Sequence, residues 1–459
     1  MYDCSKEFNE FYRKKVVLPA KKQNELRQKR KLNIKRIKSG LLEYNAEKNT
    51  NYKISEERIQ GSMAMHTITQ NDENDYDIDV GIVFESDNLD QLGPLATRNM
   101  VANALERKTN QFAKVPDVKT SCVRLIYSFE GYHVDFAVFK RYKHFLKKDE
   151  YIYEHAGSEW SIRHLKALEE WFNEEIKNLG DDLRKITRLS KMFCKSRDSW
   201  RNMPSGLIQT IVCNENLFTN STRLDESFYF TMKAIVSRLN TYLEVHAPVD
   251  NKRALVTRET DYQSMKKWKS RLDSNLANLD ILFDTKCTYK EALNAWAQFF
   301  NHSYWNELYS STRNESFGVG KAYDFDDTEE FIEDLYPIYE QYDVTIDCRV
   351  SGNGFSAMPI LDYLDKLGLR SKSFIPHNFS IKCKIGYTNC PSFDKILWKV
   401  LNVGSEAERR NNIRGQIFDK GSEISENSKF LGEHFIECYL IKNGICVAIG
   451  HVDVPIGGN

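Results

Sequence analysis

The apolar positions of residues 53–140 change period along the segment. KISEERIQGSM alternates as a strand, and DIDVGIVF alternates before running continuously apolar, as a strand entering a core. LATRNMVANALERKTNQF has helical spacing, while SCVRLIYSF and GYHVDFAVF read as a hairpin around Glu130 and Gly131. Together these predict a mixed α/β unit with an antiparallel element. From Trp160 to about Tyr304 the spacing is helical, as in SIRHLKALEEWF, DDLRKITRLSKMFCKS and GLIQTIVCNENLF, which predicts a helical bundle. The acidic stretch YDFDDTEEFIED, 323–334, reads as a linker or a helix start. Beyond it DVTIDCRV, FSIKCKIGY, KILWKVLNVG, HFIECYLI and GICVAIGHVDV are short alternating strands. They predict a mostly β last domain, a sandwich or a strongly bent sheet.

Charge changes this picture at the N-terminal end. Arg13 to Lys38 carries twelve Lys or Arg against one acid, Glu25, and after Pro19 places Leu26, Ile34 and Ile37 near helical spacing. The run is either a basic spine that tracks a phosphate backbone or a long helix with a solvated cationic face. The 459 residues carry zero formal net charge, which argues against a uniformly basic nucleic-acid binder. A chain 41% hydrophobic and 28% charged folds, in two or three domains by length. No stretch is apolar enough for a signal peptide or a membrane span, so a soluble, cytoplasmic protein without membrane insertion is expected. The ten cysteines form no CxxC pair and read as reduced core thiols.

The candidate chemistry lies where charge meets the core. Asp77 and Asp79 alternate with Tyr76, Ile78 and Val80, so both point to one face, whereas Asp72, Glu73 and Asp75 belong to the preceding turn. Asp135 sits in the same way among Val134, Phe136 and Val138. If the two strands lie side by side, three carboxylates converge. Two like charges ~4 Å apart repel by ~4 kcal/mol at an effective dielectric of about 20, so such a cluster calls for cations. Oxygen ligands select a hard ion, Mg²⁺ or Mn²⁺, and a pair of ions about 3.5–4 Å apart clamps in-line displacement at phosphorus. One ion would activate the attacking hydroxyl and the other hold the leaving pyrophosphate. In IQGSMAMHT the strand ends at Gly61, which lets the backbone approach a phosphate, and the Ser62 hydroxyl with the following amides would cradle a triphosphate.

QGS, DYDIDV and HVDFAVF together resemble the signature of the polymerase-beta-like nucleotidyltransferases, in particular the cGAS/DncV-like bacterial branch, over residues from about 20 to 320. The resemblance implies an α+β fold, a catalytic core and a helical lobe that complete a cleft. It assigns two Mg²⁺ or Mn²⁺ ions to Asp77, Asp79 and Asp135. In that family a lysine and a serine of the helical lobe contact substrate phosphates, and the matching segments point to Lys191 and Ser205. Lys191 is alternatively a surface lysine on an amphipathic helix, and Ser205 an ordinary N-cap. LWKVLNVGSEAERRNNIRGQI and GEHFIECYLIKNGICVA resemble the adenylyl/guanylyl and SMODS C-terminal sensor domain, which implies nucleotide sensing. There Arg409, Arg410 and Arg414 suit phosphate and Trp398 a base, unless Trp398 is core and the arginines surface charge.

The expected organisation is a spine helix and catalytic core over 1–155, a helical lobe over 156–325 and a sensor-like β domain over 335–459. The leading expectation is an enzyme that joins nucleoside triphosphates into a cyclic or linear messenger for a separate effector, soluble or membrane-associated, in anti-phage defence. Three readings compete with it. One is synthesis of linear, deoxynucleotide or protein-primed oligomers, and another is tailing of RNA docked on the basic helix. The third is a nucleotide-binding pseudoenzyme that signals through its last domain.

Overall fold

A computed structural model of the chain describes residues 1–70, 77–89, 92–112, 114–128, 131–147, 150–249, 253–314, 329–352, 354–366, 374–402 and 414–457. The expected turn residues Asp72, Glu73, Asp75 and Glu130, the first part of the acidic stretch (323–328), and Arg409 and Arg410 lie outside the described residues. The chain divides into two compact units, Met1–Val319 and Gly320–Asn459.

The first unit opens with α1 (Ser5–Phe11) and the long helix α2 (Ala20–Lys48). Pro19 precedes α2, where its missing N–H costs nothing, and Asn49 ends it in a left-handed turn at φ 54°. Leu26, Ile34, Ile37 and Leu41 are each at most 3% exposed in the core of the unit. Burying these four contributes on the order of 6–12 kcal/mol. Gly40 allows α2 to cross α4 (Pro94–Glu106), because a Cβ there would lie 1.8 Å from the Ala104 carbonyl oxygen. Part of the basic run is used on the unit's own surface. The Lys29 ammonium sits 4.5 Å over the Tyr127 ring, Arg36 stacks on Phe112 at 5.2 Å, and Lys38 pairs with Glu57 at 3.4 Å.

The sheet is built from β1 (Glu56–Gln60), β2 (Asp77–Glu85), β3 (Asp117–Val118), β4 (Val123–Tyr127) and β5 (Tyr132–Lys143) in the order β1-β2-β5-β4-β3. β6 (Tyr151–Ala156) pairs with β5 and with β7 (Trp160–Ile162). β2 and β5 run parallel, and the expected hairpin of β4 and β5 is antiparallel. A four-residue turn of helix, α3 (Gly61–Ala64), follows β1. Even-numbered residues Ile78, Val80, Ile82 and Phe84 of β2, with Val134, Phe136 and Val138 of β5, enter the core shared with α2 and α4. The opposite face is apolar only at one end, where Val83, Phe139 and Leu165 meet. Period-two alternation therefore leaves its other end to Asp77, Asp79, His133 and Asp135.

The helical lobe comprises α5 (Ala167–Leu179), α6 (Asp182–Lys195), α7 (Gly206–Glu215), α8 (Leu224–Thr241), α9 (Glu259–Leu276), α10 (Tyr289–Phe300) and α11 (Ser303–Asn314). α1 packs into this lobe. Phe8 meets Trp296 edge-on at 4.7 Å, and Phe228 stacks on Phe300 at 5.5 Å. The Cys4 N–H donates to the Asp225 carboxylate at 3.0 Å, which Arg223 holds at 2.7 Å.

Among its described residues the second unit contains α12 (Ile332–Leu335), α13 (Ile360–Lys366) and eight strands: β8 (Val344–Gly352), β9 (Phe355–Pro359), β10 (Ser380–Thr388), β11 (Lys395–Leu401), β12 (Ile417–Asp419), β13 (Glu423–Asn427), β14 (Gly432–Lys442) and β15 (Ile445–Ile456). Two antiparallel four-stranded sheets, β13-β10-β8-β9 and β12-β11-β14-β15, enclose a common core. Val350, Ile381 and Cys383 come from one sheet, Trp398, Val400, Ile436 and Leu440 from the other, so the sandwich form of the expectation holds. Trp398 is fully buried and its indole N–H donates to the Gly421 carbonyl at 2.9 Å, so it is core and offers no face to a base. Arg414 pairs with Glu426 at 3.5 Å. All ten cysteines are buried free thiols.

The outer face of the second sheet carries a buried ionic row. Lys399, Glu437 and His451 lie in register across β11, β14 and β15. Lys399 donates to Glu329 at 2.7 Å, and Glu437 accepts from Tyr439 at 2.7 Å and lies 3.3 Å from the His451 Nδ1. Burial alone would lower the His451 pKa, but the hydrogen bonds and charges of Asp453 and Glu437 outweigh it and push it up to about 9. A histidine whose folded pKa is raised stabilises fully below its unfolded value near 6.5 and loses that contribution as pH rises through about 9. The loss should approach about 3 kcal/mol. Amide protection of β14, corrected for intrinsic exchange, should therefore fall between pH 7 and 9.5, and His451→Gln should remove that fall. An equal fall in the variant would assign the pH dependence elsewhere.

Candidate functional site

The parallel register of β2 and β5 sets Asp77 beside His133 and Asp79 beside Asp135. All four residues are odd-numbered in their strands and share the face described above. Arg124 on β4 lies directly across from Asp135 on the other side of β5. Its guanidinium forks onto the Asp135 carboxylate, Nε to Oδ1 at 2.9 Å and Nη2 to Oδ2 at 2.7 Å. The His133 Nδ1 lies 3.0 Å from the same Oδ1. Asp135 is only 5% exposed, and burial pulls its pKa up, yet the hydrogen bonds from His133 and Arg124 hold it below the usual carboxylate value.

Asp79 has the opposite fate. The residue keeps a partly open surface, while its carboxyl lies deep among protein atoms. Burial, and then the charges of Asp77 and Asp135, push its pKa up to about 7. Desolvation is the larger part of that shift, and the negative potential that adds to it is compensated only in part by His133 and Arg124. Its Oδ2 fills the space above Gly61, whose Cβ, if present, would lie 1.9 Å away, and Gly61 itself has φ +63°. The glycine that ends β1 thus admits a carboxylate against the backbone.

Asp77, His133 and Asp135 each offer a ligand atom, and those atoms lie within 4.8 Å of one another. Two carboxylates and an imidazole in that space, beside a third carboxyl whose pKa burial and like charge raise, fit a divalent cation.

A cleft of about 850 Å³ adjoins these residues and suits a nucleotide-sized ligand. Ser62, Thr67, Ile68, Thr69 and Asp77 form one side of its lining. Lys191, Lys195, Arg197 and Trp200 come from the helical lobe. The structure thus brings Ser62 and Lys191 into the same cleft as Asp77. Lys191 is 8% exposed, so it is no surface lysine, and its ammonium donates to the Thr67 Oγ1 at 2.8 Å and the Thr67 carbonyl at 3.1 Å. Burial, aided by Arg188, lowers its pKa to about 7 against the pull of Asp77. Ser205 is exposed and caps α7, its hydroxyl accepting from the Ile208 N–H at 3.4 Å, while Pro204 and Gly206 beside it line the cleft. Gly206 keeps α7 close to Lys191, since a Cβ there would meet the Lys191 Cε at 3.1 Å.

Sequence reasoning passed over Arg124, His133 and Thr67. The spacing of HVD, residue i and i+2 on one strand, puts His133 on the Asp135 face and was a usable signal. Arg124 needed the β4–β5 register. Thr67 needed the tertiary fold, because its partner is Lys191.

Comparison with known proteins separates the chain in the same two parts. Residues 55–139 match the model of the cyclic GMP-AMP synthase DncV-like nucleotidyltransferase domain. Residues 326–457 match that of the adenylyl/guanylyl and SMODS C-terminal sensor domain. A cyclic GMP-AMP synthase of Escherichia albertii is 22% identical over 416 residues, spanning 87% of this chain and 84% of that protein. The fold is similar to that of Vibrio cholerae DncV in complex with the linear intermediate 5′ pppA(3′,5′)pG, with a TM-score of 0.53 at 15% identity over 66% of this chain and 97% of that one. Escherichia coli DncV in its 3′-deoxy GTP bound form gives a TM-score of 0.52 at 16% identity, covering 66% of this chain and 98% of that one.

Proposed function

The chain is a DncV-like nucleotidyltransferase carrying an adenylyl/guanylyl and SMODS C-terminal sensor domain, and from that premise we propose that it joins nucleoside triphosphates into a short oligonucleotide second messenger. The observation that carries this reading is the register of β2 and β5, which sets Asp77, Asp79 and Asp135 on one face beside a nucleotide-sized cleft. In the reaction the 3′-oxygen of one nucleotide bonds to the α-phosphorus of another, and the bond to the β-phosphate oxygen breaks with loss of pyrophosphate. Asp77, Asp79 and Asp135 would hold two Mg²⁺ or Mn²⁺ ions, whose charge stabilises the attacking and leaving oxygens.

The chain's other residues position the triphosphate. Gly61 gives the Asp79 carboxyl its place, and the Ser62 hydroxyl lies at the cleft wall for a phosphate oxygen. Lys191 supplies a cation whose protonation a bound phosphate favours, since its pKa is lowered chiefly by burial. Ser205 serves the same site by capping α7, which packs Gly206 against Lys191. The product would act on a separate effector in anti-phage defence, with the enzyme working in the cytoplasm. No helix among the described residues is long and apolar enough to cross a membrane.

The test is incubation with each labelled triphosphate, singly and in pairs, with Mg²⁺, then phosphatase treatment and mass analysis. A phosphatase-resistant ring or a short linear oligomer is the expected product. Label transferred to added RNA, or none incorporated at all, would overturn the reading.

A further inference from the structure

We infer that His133 is itself a metal ligand, and that with Asp77 and Asp135 it makes this centre selective for Mn²⁺ over Mg²⁺. The inference rests on the metal-dependent reading above and deepens it. Strand register supplies the first argument. His133 is the parallel neighbour of Asp77 and stands two residues before Asp135, so its ring is delivered to the carboxylate face by two separate constraints. The ring is mostly enclosed, with 18% of its side chain exposed, so it has little freedom to turn away.

Distance supplies the second. In an octahedral site with bonds of about 2.1 Å, adjacent ligand atoms are about 3.0 Å apart. The His133 Nδ1 and the Asp135 Oδ1 are separated by 3.0 Å. The two atoms therefore already form one edge of such a site, bridged by a hydrogen bond that an ion would replace. The ligand atoms of all three residues lie within 4.8 Å of one another, against about 4.2 Å between trans ligands of such a site, so a small inward movement of one side chain closes the set on a single ion. Arg124 forks onto both oxygens of Asp135 from the side of β4, which leaves the edge toward His133 and Asp77 for the ion.

Chemistry supplies the third. Mg²⁺ prefers oxygen donors and surrenders its waters reluctantly, whereas Mn²⁺ shares that liking for carboxylates but, as a first-row transition ion, gains more than Mg²⁺ from an added nitrogen donor. A nitrogen ligand at this position therefore raises Mn²⁺ affinity without a matching gain for Mg²⁺.

The full-length chain would be titrated with Mn²⁺ alone, free ion being counted by electron paramagnetic resonance, and Mg²⁺ affinity read by competition. His133→Asn is the informative variant. An asparagine amide reaches about where Nδ1 stands and can still hydrogen-bond Asp135, but it offers a metal only oxygen. It should weaken Mn²⁺ about 10-fold or more, at least what loss of a ligand's hydrogen-bond partner costs, and leave Mg²⁺ within about two-fold. Pulsed measurement should also show a nitrogen hyperfine coupling to bound Mn²⁺ in the natural protein, which ¹⁵N-histidine labelling alters and His133→Asn removes. Parallel loss of both affinities, no change in either, or absence of the nitrogen coupling would make His133 only a hydrogen-bond partner of Asp135. Equal background binding of Mn²⁺ by the natural chain and by Asp77→Ala would instead overturn the metal reading itself.

Discussion

Asp79→Asn is expected to stabilise the first unit while reducing nucleotide incorporation at least about 10³-fold, a barrier change of ~4 kcal/mol. The two effects share one cause. The Asp79 carboxyl is buried, and Asp77 and Asp135 raise its pKa further to about 7. A raised carboxylate pKa means the folded state holds the proton more firmly than the unfolded one, so stability falls as pH climbs from about 4 to about 7. Above that range the ionised group costs about 2–4 kcal/mol. Asparagine keeps the shape and discards the charge, so calorimetry at pH 8 should show a higher melting temperature and a flatter pH profile for the variant. Mn²⁺ or Mg²⁺ should raise the melting temperature of the natural chain more than that of Asp79→Asn, since ions bound to the folded state stabilise it by mass action. A destabilised variant, or one that keeps incorporating nucleotides, would show that this carboxyl is not an ion-compensated part of the site.

The same residues show how far a sequence can be read here. Alternation in DIDVGIVF and HVDFAVF placed Asp77, Asp79 and Asp135 because a strand buried on one face imposes a period of two on its partners. The spine helix was equally legible, with Leu26, Ile34 and Ile37 all buried as their spacing required. What sequence could not supply was adjacency. That β2 lies against β5, in parallel and with Asp79 opposite Asp135, depends on a crossover of 46 residues between Glu85 and Tyr132, and no local pattern encodes it. Arg124, His133 and Thr67 acquire their meaning only from such neighbours. In the second unit the long strands β8, β10, β11, β14 and β15 were visible, whereas the three residues of β12 and the one-turn α12 are too short to show a period. α1 carries its apolar pair, Phe8 and Phe11, in seven residues, and its place in the helical lobe comes from Trp296, Phe300 and Trp305 almost 300 positions away.

Gly61→Ala should reduce activity on the order of 10²-fold, less than loss of the Asp79 carboxylate, by a steric route that a double-mutant cycle can isolate. Two costs are combined at this position. The backbone is left-handed, φ +63°, which for an alanine costs roughly 1–2 kcal/mol. The new methyl carbon would also stand 1.9 Å from the Asp79 Oδ2 and 2.9 Å from its Cγ, so either the carboxyl is expelled or the β1–α3 corner moves. Both responses displace the aspartate from Asp77 and Asp135, and a shift of about 1 Å at a reacting centre costs on the order of 10²-fold in rate. In the Asp79→Ala background the carboxyl clash is gone and the methyl meets only the Cβ of residue 79, at 3.2 Å, so the backbone strain should be most of what remains. The expected coupling between positions 61 and 79 is therefore at least about 1 kcal/mol in stability, measured by denaturant unfolding of the four proteins of the cycle. Additive effects would mean that Asp79 does not occupy the space above Gly61. In that case the glycine would be required only for its backbone angle, and Gly61→Asn, which tolerates a left-handed φ better than alanine, should then recover much of the lost stability.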